Sequence, residues 1–150
     1  MKSDYGDEFL PRRSTKWSAG YDFYYPHDEP LTLLPDRDYV IDTGIHLEDG
    51  DIYVREYLGC TPRSSMRRDY GMSFDGEMVI DADYRDSIKV YVHVRKMNME
   101  KDEYGEYVCT PLTLRKGDRF MQGIVKPYGL IDGEIKPTKE RTGGTGSTGI

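Results

Sequence analysis

The sequence has no long apolar run and no excess of basic charge, and each absence argues against a class of protein. No segment approaches the roughly 18 apolar residues of a transmembrane helix, and residues 1–8 lack the apolar stretch of a secretory signal. With 21 basic and 27 acidic residues, the net charge is −6, which disfavours general binding to nucleic acid or anionic membranes. We therefore expect a cytoplasmic protein with no nucleic-acid and no membrane partner.

Cysteine is also scarce. Cys60 and Cys109 lie far apart in the sequence and lack the Cys-x-x-Cys spacing of metal and redox sites. We expect both thiols to be reduced, as in a cytoplasmic protein, and not to form a structural disulfide.

Helical periodicity is almost absent, and short apolar segments separated by turns take its place. Tyrosine, typical of half-buried strands, is the commonest aromatic residue, with 13 against four Phe and one Trp. Ile88, Val90, Val92 and Val94 alternate with polar or aromatic neighbours, which predicts a strand with one buried face. The pattern predicts one all-β domain, a sandwich or barrel. Further strands are predicted at 31–34, 39–41, 51–58, 107–114 and 120–125, with a hairpin turn at 103–106, a short helix at 66–70 and a loose segment at 1–10.

A first segment suited to a phosphorylated ligand is Pro62-Arg-Ser-Ser65, just before the predicted helix. Ser64 or Ser65 could cap the helix, and Arg63 could add charge-assisted bonds to an anion held there. A plain capped helix would have the same sequence.

A second segment, Val79 to Arg85, places two carboxylates, an aromatic ring and an arginine together. An ionised Asp81 could accept a proton from water, and Tyr84 could pack against a ring or a sugar. A polar hairpin without chemistry is the alternative.

Two more segments lie near the C-terminus. In Gly117–Gln122, Gln122 could bind a ligand, or Asp118 and Arg119 could simply pair across a turn. The tail after Arg141 is rich in glycine, which lets backbone amides approach phosphate closely, although a flexible end would look the same. It is not a Walker loop, because it lacks Gly-Lys-Ser/Thr.

In this order, five segments closely resemble the five motifs of the trimeric dUTPase family. They are Ser18–Asp22, Pro62–Ser65, Val79–Arg85, Gly117–Gln122 and Gly143–Gly149. The resemblance extends from about Pro11 to the C-terminus, and five motifs in the right order make a chance match improbable.

The resemblance implies a jelly-roll-like distorted β-barrel over residues 1–140 and a mobile Gly-rich arm over 141–150. It implies a homotrimer in which each arm closes an active site shared between subunits. It also implies hydrolysis of dUTP to dUMP and pyrophosphate with Mg²⁺.

The resemblance further implies a role for individual residues. Asp81 would activate the water that attacks the α-phosphorus, and Tyr84 would pack under the deoxyribose. Asp22 would help to place the hydrated Mg²⁺. The uracil would be read by the hairpin of Asp75, Val79, Ile80 and Lys89, the phosphates would be held by Arg63, Ser64, Ser65 and Gln122, and the nucleotide would be covered by Arg141, Thr145, Gly146, Ser147 and Thr148.

The chain departs from the family pattern at several positions. Thr145 stands where a Phe usually covers the uracil, and Met78 and Asp86 stand where Gly is usual. Asp75 occupies a position often held by Asn in bacterial members. The segment from Arg95 to Tyr107 resembles an insertion.

Three other functions are compatible with parts of the sequence. A dCTP deaminase of the same fold would need a catalytic Glu on the strand after the hairpin, where this chain reads Lys89-Val-Tyr-Val-His93. A non-enzymatic, nucleotide-dependent regulatory protein of a phage or mobile element could use the insertion as its binding surface. An unrelated jelly-roll binding module would leave the phosphate-type motifs unexplained.

Overall fold

Short antiparallel strands dominate the fold. The structure, a computed structural model, describes residues 1–138 and residue 141, and in this part of the chain it contains twelve strands and one α-helix. The elements are β1 (Lys2–Ser3), β2 (Tyr21–Tyr24), β3 (Leu31–Leu33), β4 (Asp38–Asp42), β5 (Ile45–His46), β6 (Glu56–Pro62), α1 (Ser64–Tyr70), β7 (Met78–Asp81), β8 (Lys89–His93), β9 (Asn98–Lys101), β10 (Tyr107–Thr110), β11 (Leu112–Leu114) and β12 (Arg119–Pro127). A single turn of 3₁₀ helix spans Asp7–Phe9. The predicted all-β class with one short helix is confirmed.

Antiparallel pairing joins these strands into one four-stranded sheet and four two-stranded ladders. The sheet has the order β2-β12-β6-β7, and the ladders are β1-β5, β3-β11, β4-β8 and β9-β10. Among the described residues these ladders do not close into a continuous hydrogen-bonded barrel. The separate ladders are held together by one shared core, as in the predicted jelly-roll-like fold.

The core follows from the alternation of apolar and polar residues along the strands. Val90 and Val92 in β8 are buried, whereas Lys89 and Tyr91 point outward, as the sequence pattern predicts. Their partners in the core come from several other strands and include Phe23, Leu33, Ile41, Leu58 and Phe120, all at most 1% exposed. Burial of these large side chains is the main force that packs the separate ladders together.

Two predicted strands have different limits in the structure. The strand predicted at 51–58 begins only at Glu56, because the Asp51 carboxylate accepts a hydrogen bond from the Glu48 amide at 2.7 Å and holds a turn. The strand predicted at 107–114 is two strands, β10 and β11, on either side of Pro111. Proline has no N–H to donate, so it interrupts a ladder at this point.

The prediction of a loose N-terminus was wrong. Strand β1 pairs with β5, and the Asp4 amide donates to the Gly44 carbonyl at 2.9 Å. The α-amino group of Met1 forms an ion pair with Asp51 at 2.5 Å. The N-terminal residues, which show no apolar pattern in the sequence, are thus held in place by a strand that is distant in the sequence.

The predicted hairpin between Arg95 and Tyr107 is confirmed and is formed by β9 and β10, which pair with each other and with no other strand among the described residues. The Asp102 carboxylate closes its turn by accepting hydrogen bonds from the amides of Tyr104 and Glu106, each at 2.9 Å. Cys109 is exposed on this hairpin and is a free thiol. Cys60 is also free, and burial raises the pKa of its thiol to about 12, which keeps it protonated.

No helix in the described part of the chain is long and apolar enough to cross a membrane.

Candidate active site

A buried carboxylate organises the first group of candidate site residues. Asp22 in β2 is only 5% exposed, and its Oδ1 lies 3.0 Å from Arg63 Nε. Its Oδ2 accepts a hydrogen bond from Ser14 Oγ at 2.5 Å and lies 3.2 Å from Arg119 Nη1. Two arginines around one carboxylate leave a net positive charge, which favours an anionic ligand.

The strand register brings the remaining members of this group together. Gln122 in β12 lies opposite Asp22 in β2 and opposite Thr61 in β6, so the three side chains share one face of the sheet. A Cβ at Gly20 would lie 3.0 Å from Gln122 Oε1, so glycine leaves room for this amide. A cavity of about 330 Å³ opens here, lined by Ser14, Ser18, Ala19, Gly20, Asp22, Arg63, Ser64, Gln122 and Ile124.

The start of the helix differs from the prediction. Arg63 is the N-cap residue of α1, with φ −62° and ψ 150°, and no side chain caps the helix. Ser64 and Ser65 lie inside the first turn, so the prediction that one of them caps it was wrong. Their hydroxyls are therefore not used as caps, and Ser64 lines the cavity.

Arg119 was missed as a site residue. Its predicted partner was Asp118, but the Asp118 carboxylate instead accepts a hydrogen bond from the Arg115 amide at 2.8 Å. Arg119 turns toward β2 and binds both Asp22 and Ser14. Ser14 was missed as well, because nothing local distinguishes it from other surface serines.

The second group of candidate residues lies around the end of β7. Asp81 is the last residue of that strand, and the chain then turns, with the Tyr84 amide donating to the Asp81 carbonyl at 3.0 Å. Tyr84 is buried, and its hydroxyl donates to the Ser87 carbonyl at 3.1 Å. A cavity of about 270 Å³ lies against this turn, lined by Met78, Val79, Ile80, Asp81, Tyr84, Lys89, Tyr91 and Arg141.

Four of the residues predicted to read the base or to act on water thus share this cavity with Tyr84: Val79, Ile80, Asp81 and Lys89. Asp75 does not line it. Its carboxylate lies 3.2 Å from Nε2 of His93, and its φ of 58° places it in a tight turn. Tyr91 lines the cavity and was missed, although the alternation along β8 places it on the same outward face as Lys89.

Arg141 is the part of the predicted arm that the structure describes. Its guanidinium donates to Asp81 Oδ2, and its Nε donates to Asp83 Oδ1 at 3.0 Å. The guanidinium carbon lies 5.7 Å from the centre of the Tyr84 ring, a cation–π distance. Thr145, Gly146, Ser147 and Thr148 lie outside the described residues.

The two groups are far apart within one chain. Asp81 lies opposite Tyr57 near the start of β6, whereas Arg63 follows the last residue of that strand. Six residue steps along the strand separate the Cα atoms of Tyr57 and Arg63, a distance of about 20 Å. The phosphorus atoms of a triphosphate are only a few ångströms apart, far less than this backbone separation.

No cluster of three or more His, Cys, Asp or Glu side chains in the described part of the chain has the geometry to hold a metal ion. Asp22 offers about four acceptor positions, of which Arg63, Ser14 and Arg119 use three. One acceptor position of this carboxylate is therefore left, too few for Asp22 to hold a metal ion by itself.

Comparison with known proteins identifies the family of this chain. The dUTPase family model matches residues 8–149. The deoxyuridine 5'-triphosphate nucleotidohydrolase of Coxiella burnetii (strain Dugway 5J108-111) is 33% identical over 152 residues, which span 96% of this chain and 90% of that protein. The enzyme of the same name from Rickettsia bellii (strain OSU 85-389) is 30% identical over 146 residues, spanning 94% of this chain and 87% of that protein.

Among solved structures, the dUTPase from Streptococcus mutans superposes with a TM-score of 0.65 at 26% identity, covering 88% of this chain and 96% of that chain. From the family model and these relatives, we conclude that this chain belongs to the dUTPase family.

Proposed function

We propose that the protein hydrolyses dUTP to dUMP and pyrophosphate, and that Asp81 activates the attacking water. The proposal rests on one observation: in this member of the dUTPase family, the half-exposed carboxylate of Asp81 lines a cavity together with Val79, Ile80 and Tyr84. A water held by Asp81 loses a proton to the carboxylate as it attacks the α-phosphorus in line, and pyrophosphate leaves. No covalent intermediate with the protein is needed.

The turn after Asp81 accounts for selection of the sugar and the base. Tyr84 is fixed at both its amide and its hydroxyl, and its mostly buried ring lines the cavity beside Arg141. A deoxyribose that takes the place of Arg141 would pack on this rigid ring. A ribose 2'-hydroxyl at this surface would lose its water partners without a replacement, which disfavours ribonucleotides. The predicted hairpin from Asp75 to Lys89 was wrong, because β7 pairs with β6 and β8 pairs with β4. Val79, Ile80 and Lys89 nevertheless line one cavity, and backbone groups of this segment would read the uracil edge.

The group around Asp22 accounts for binding of the phosphates. Arg63 supplies a fixed positive charge, and Ser64, Ser65 and Gln122 supply neutral donors. Asp22 holds Arg63 in place, and Arg119 balances the buried carboxylate. Such preset donors stabilise charge that develops on the phosphates during transfer.

Mg²⁺ fits this site as an ion carried by the triphosphate. Magnesium is usually held by substrate phosphates, one or two carboxylates and several waters. Asp22 would hold one of these waters through its remaining acceptor position, and the ion would neutralise phosphate charge. The chain's own residues would still bind and orient the nucleotide.

Assembly follows from the distance between the two groups. Because Asp81 and Arg63 lie near opposite ends of β6, about 20 Å apart along the backbone, we infer that a complete site takes these residues from different subunits. We propose the homotrimer of the family, with three shared sites. The exposed apolar side chains of Val40, Val79, Tyr91, Tyr128 and Ile131 offer surface for such contacts.

Light scattering tests this assembly. We expect a mass of about three times 17.3 kDa at all concentrations at which the enzyme is active. A fully active monomer would contradict shared sites.

The proposed arm, residues 141–150, covers the bound nucleotide from another subunit. Arg141 is paired with Asp81 and Asp83, so it would have to exchange these partners for a phosphate of the nucleotide. Gly146, Ser147 and Thr148 would add backbone and hydroxyl donors. Arg141 thus needs a competing anion before it leaves Asp81.

Thr145 is expected to cover the uracil less well than an aromatic residue. Because ring stacking adds roughly 0.5–1.5 kcal/mol, Thr145→Phe should tighten binding by up to about tenfold. Titration of both proteins with a non-hydrolysable dUTP analogue and Mg²⁺ measures this change. Equal or weaker binding by the variant would show that residue 145 does not cover the base.

A pyrophosphate-release assay with dUTP, dCTP, dTTP and UTP tests the function itself. We expect turnover of dUTP far above the others, and preferred turnover of another nucleotide would contradict the proposal. Ammonia release from dCTP would indicate the deaminase alternative instead.

A cytoplasmic location remains a prediction, which the two unpaired thiols support.

A further inference from the structure

His46 connects the N-terminal strand to the turn that carries Asp81 and Tyr84. Strand β5, which contains His46, pairs with β1, with Lys2 opposite His46. On its other side, the carbonyl of Ile45 accepts a hydrogen bond from the Ile88 amide at 2.9 Å. The backbone of β5 therefore lies between the N-terminus and the end of the turn 81–87.

The imidazole of His46 bridges the same two parts of the chain. Its Nε2 lies 2.9 Å from Asp4 Oδ2, and its Nδ1 lies 2.9 Å from the carbonyl oxygen of Arg85. A carboxylate and a carbonyl only accept hydrogen bonds, so both ring nitrogens must donate. The geometry therefore requires the doubly protonated, cationic form of His46.

We propose that protonated His46 is a positioning residue for catalysis, which holds the turn 81–87 in its active conformation and makes turnover depend on pH. The inference rests on the proposed role of Asp81.

Hydrogen bonds within the turn connect Arg85 to Tyr84 and Asp81. The Arg85 guanidinium donates to the carbonyls of Ala82 at 2.7 Å and Tyr84 at 3.2 Å, and the Tyr84 amide donates to the Asp81 carbonyl at 3.0 Å. These bonds make the turn one compact unit. A shift of the Arg85 carbonyl therefore moves Tyr84 and changes the direction of Asp81.

The charged groups around His46 decide its protonation. Burial of the ring lowers the pKa of His46, but the hydrogen bonds to Asp4 and to the Arg85 carbonyl, with the charge of Asp4, outweigh burial and raise it. Lys2 opposes them and lowers the pKa. On the side of the turn, the Arg85 guanidinium is paired with Asp49 at 2.6 Å.

The direction of this shift fixes the pH dependence. A folded-state pKa above the ordinary value of about 6.5 means that the bridge is complete below pH 6.5 and is lost as the pH rises through the raised pKa. The neutral ring keeps one proton, which the charged Asp4 attracts more strongly than a carbonyl does. The Nδ1 lone pair then faces the Arg85 carbonyl, and the two repel.

A pair of amide substitutions at His46 separates its two contacts. Asn places its amide nitrogen near the position of Nδ1, so His46→Asn keeps a donor to Arg85 at every pH. Gln reaches toward the position of Nε2, so His46→Gln keeps only the contact with Asp4. His27→Asn is the matched control, because the His27 ring contacts the Asp42 carbonyl and Tyr5 but not the turn.

The single-turnover rate with dUTP is measured against pH for each protein. For the wild type and His27→Asn we expect the rate to fall by about twofold to tenfold as His46 deprotonates. His46→Asn should lose this fall, and His46→Gln should have the low rate throughout. Asp4→Asn should move the fall to lower pH, because it removes the carboxylate that raises the pKa of His46.

An NMR titration gives a readout that does not depend on turnover. The chain has only three histidines, so the His46 ring signal can be assigned with the variants. We expect the amide signals of residues 82–87 to titrate with the pKa of the His46 ring, and both to shift together in Asp4→Asn. If the amide signals of residues 82–87 do not shift as His46 titrates, the inference is wrong. Identical pH profiles for the wild type and His46→Asn would also overturn it. Normal turnover by Asp81→Asn would instead contradict the proposed role of Asp81 as the base.

Discussion

Asp81→Asn is expected to lower kcat by about 10²–10⁴ while the nucleotide still binds. The substitution keeps the size of the side chain and removes the group that accepts the proton from water. Its contact with Arg141 loses an ionic component, but the Asn oxygen still accepts a hydrogen bond. The rate of pyrophosphate release and the affinity for a non-hydrolysable analogue measure the two effects separately.

Asp83→Asn is the matched control for this result. Asp83 is two residues away, has a similar exposure (59% against 54%) and also binds Arg141. The control therefore removes the same charge from the same arginine without removing the proposed base. We expect its kcat to stay within about tenfold of the wild type. If the two variants lose turnover equally, the charge around Arg141 matters and Asp81 is not the base.

Mixed trimers are expected to recover activity from two inactive proteins. Asp81→Asn and Arg63→Gln each disable every site of their own trimer, but they affect groups about 20 Å apart along β6. If each site takes Asp81 from one subunit and Arg63 from another, random co-assembly gives an intact pair in about one quarter of the sites. Co-expression of the two chains, followed by the pyrophosphate assay, measures this recovery.

The control for mixed trimers combines two variants of the same group. Asp81→Asn and Tyr84→Ala both affect the turn after β7, so no site in their mixture contains an intact turn. We expect no recovery from this pair. If Arg63→Gln does not fold, because Arg63 pairs with the buried Asp22, Gln122→Ala replaces it. Failure of all pairs to recover, with trimers formed, would place the complete site within one chain.

Local sequence predicted well those features that depend on neighbouring residues. The alternation of Val90 and Val92 with Lys89 and Tyr91 fixed which face of β8 is buried, because side chains in a strand point to opposite sides. The hairpin of β9 and β10 followed from its turn residues. The five ordered motifs indicated the dUTPase family, which the family model and the relatives confirmed.

Contacts between residues distant in sequence could not be predicted in this way. Arg119 was expected to pair with its neighbour Asp118, but the register of β12 with β2 brings it to Asp22 instead. The N-terminal residues looked unstructured because their partner, β5, lies about forty residues later. In both cases the stabilising partner is supplied by sheet pairing, which leaves no pattern in the local sequence.

The sequence by itself determined the class of fold, the family and the residues of the five motifs, because motifs and strand periodicity can be recognised from short stretches of neighbouring residues. Only the tertiary structure decided how those residues are grouped: Asp22 with Arg63, Ser14 and Arg119 at one end of β6, and Asp81 with Tyr84 and Arg141 at the other. It also decided that His46 bridges Asp4 and the Arg85 carbonyl. These groupings depend on strand register and on burial in one shared core. Both involve the whole chain, and they place charged side chains beside partners that are distant in the sequence.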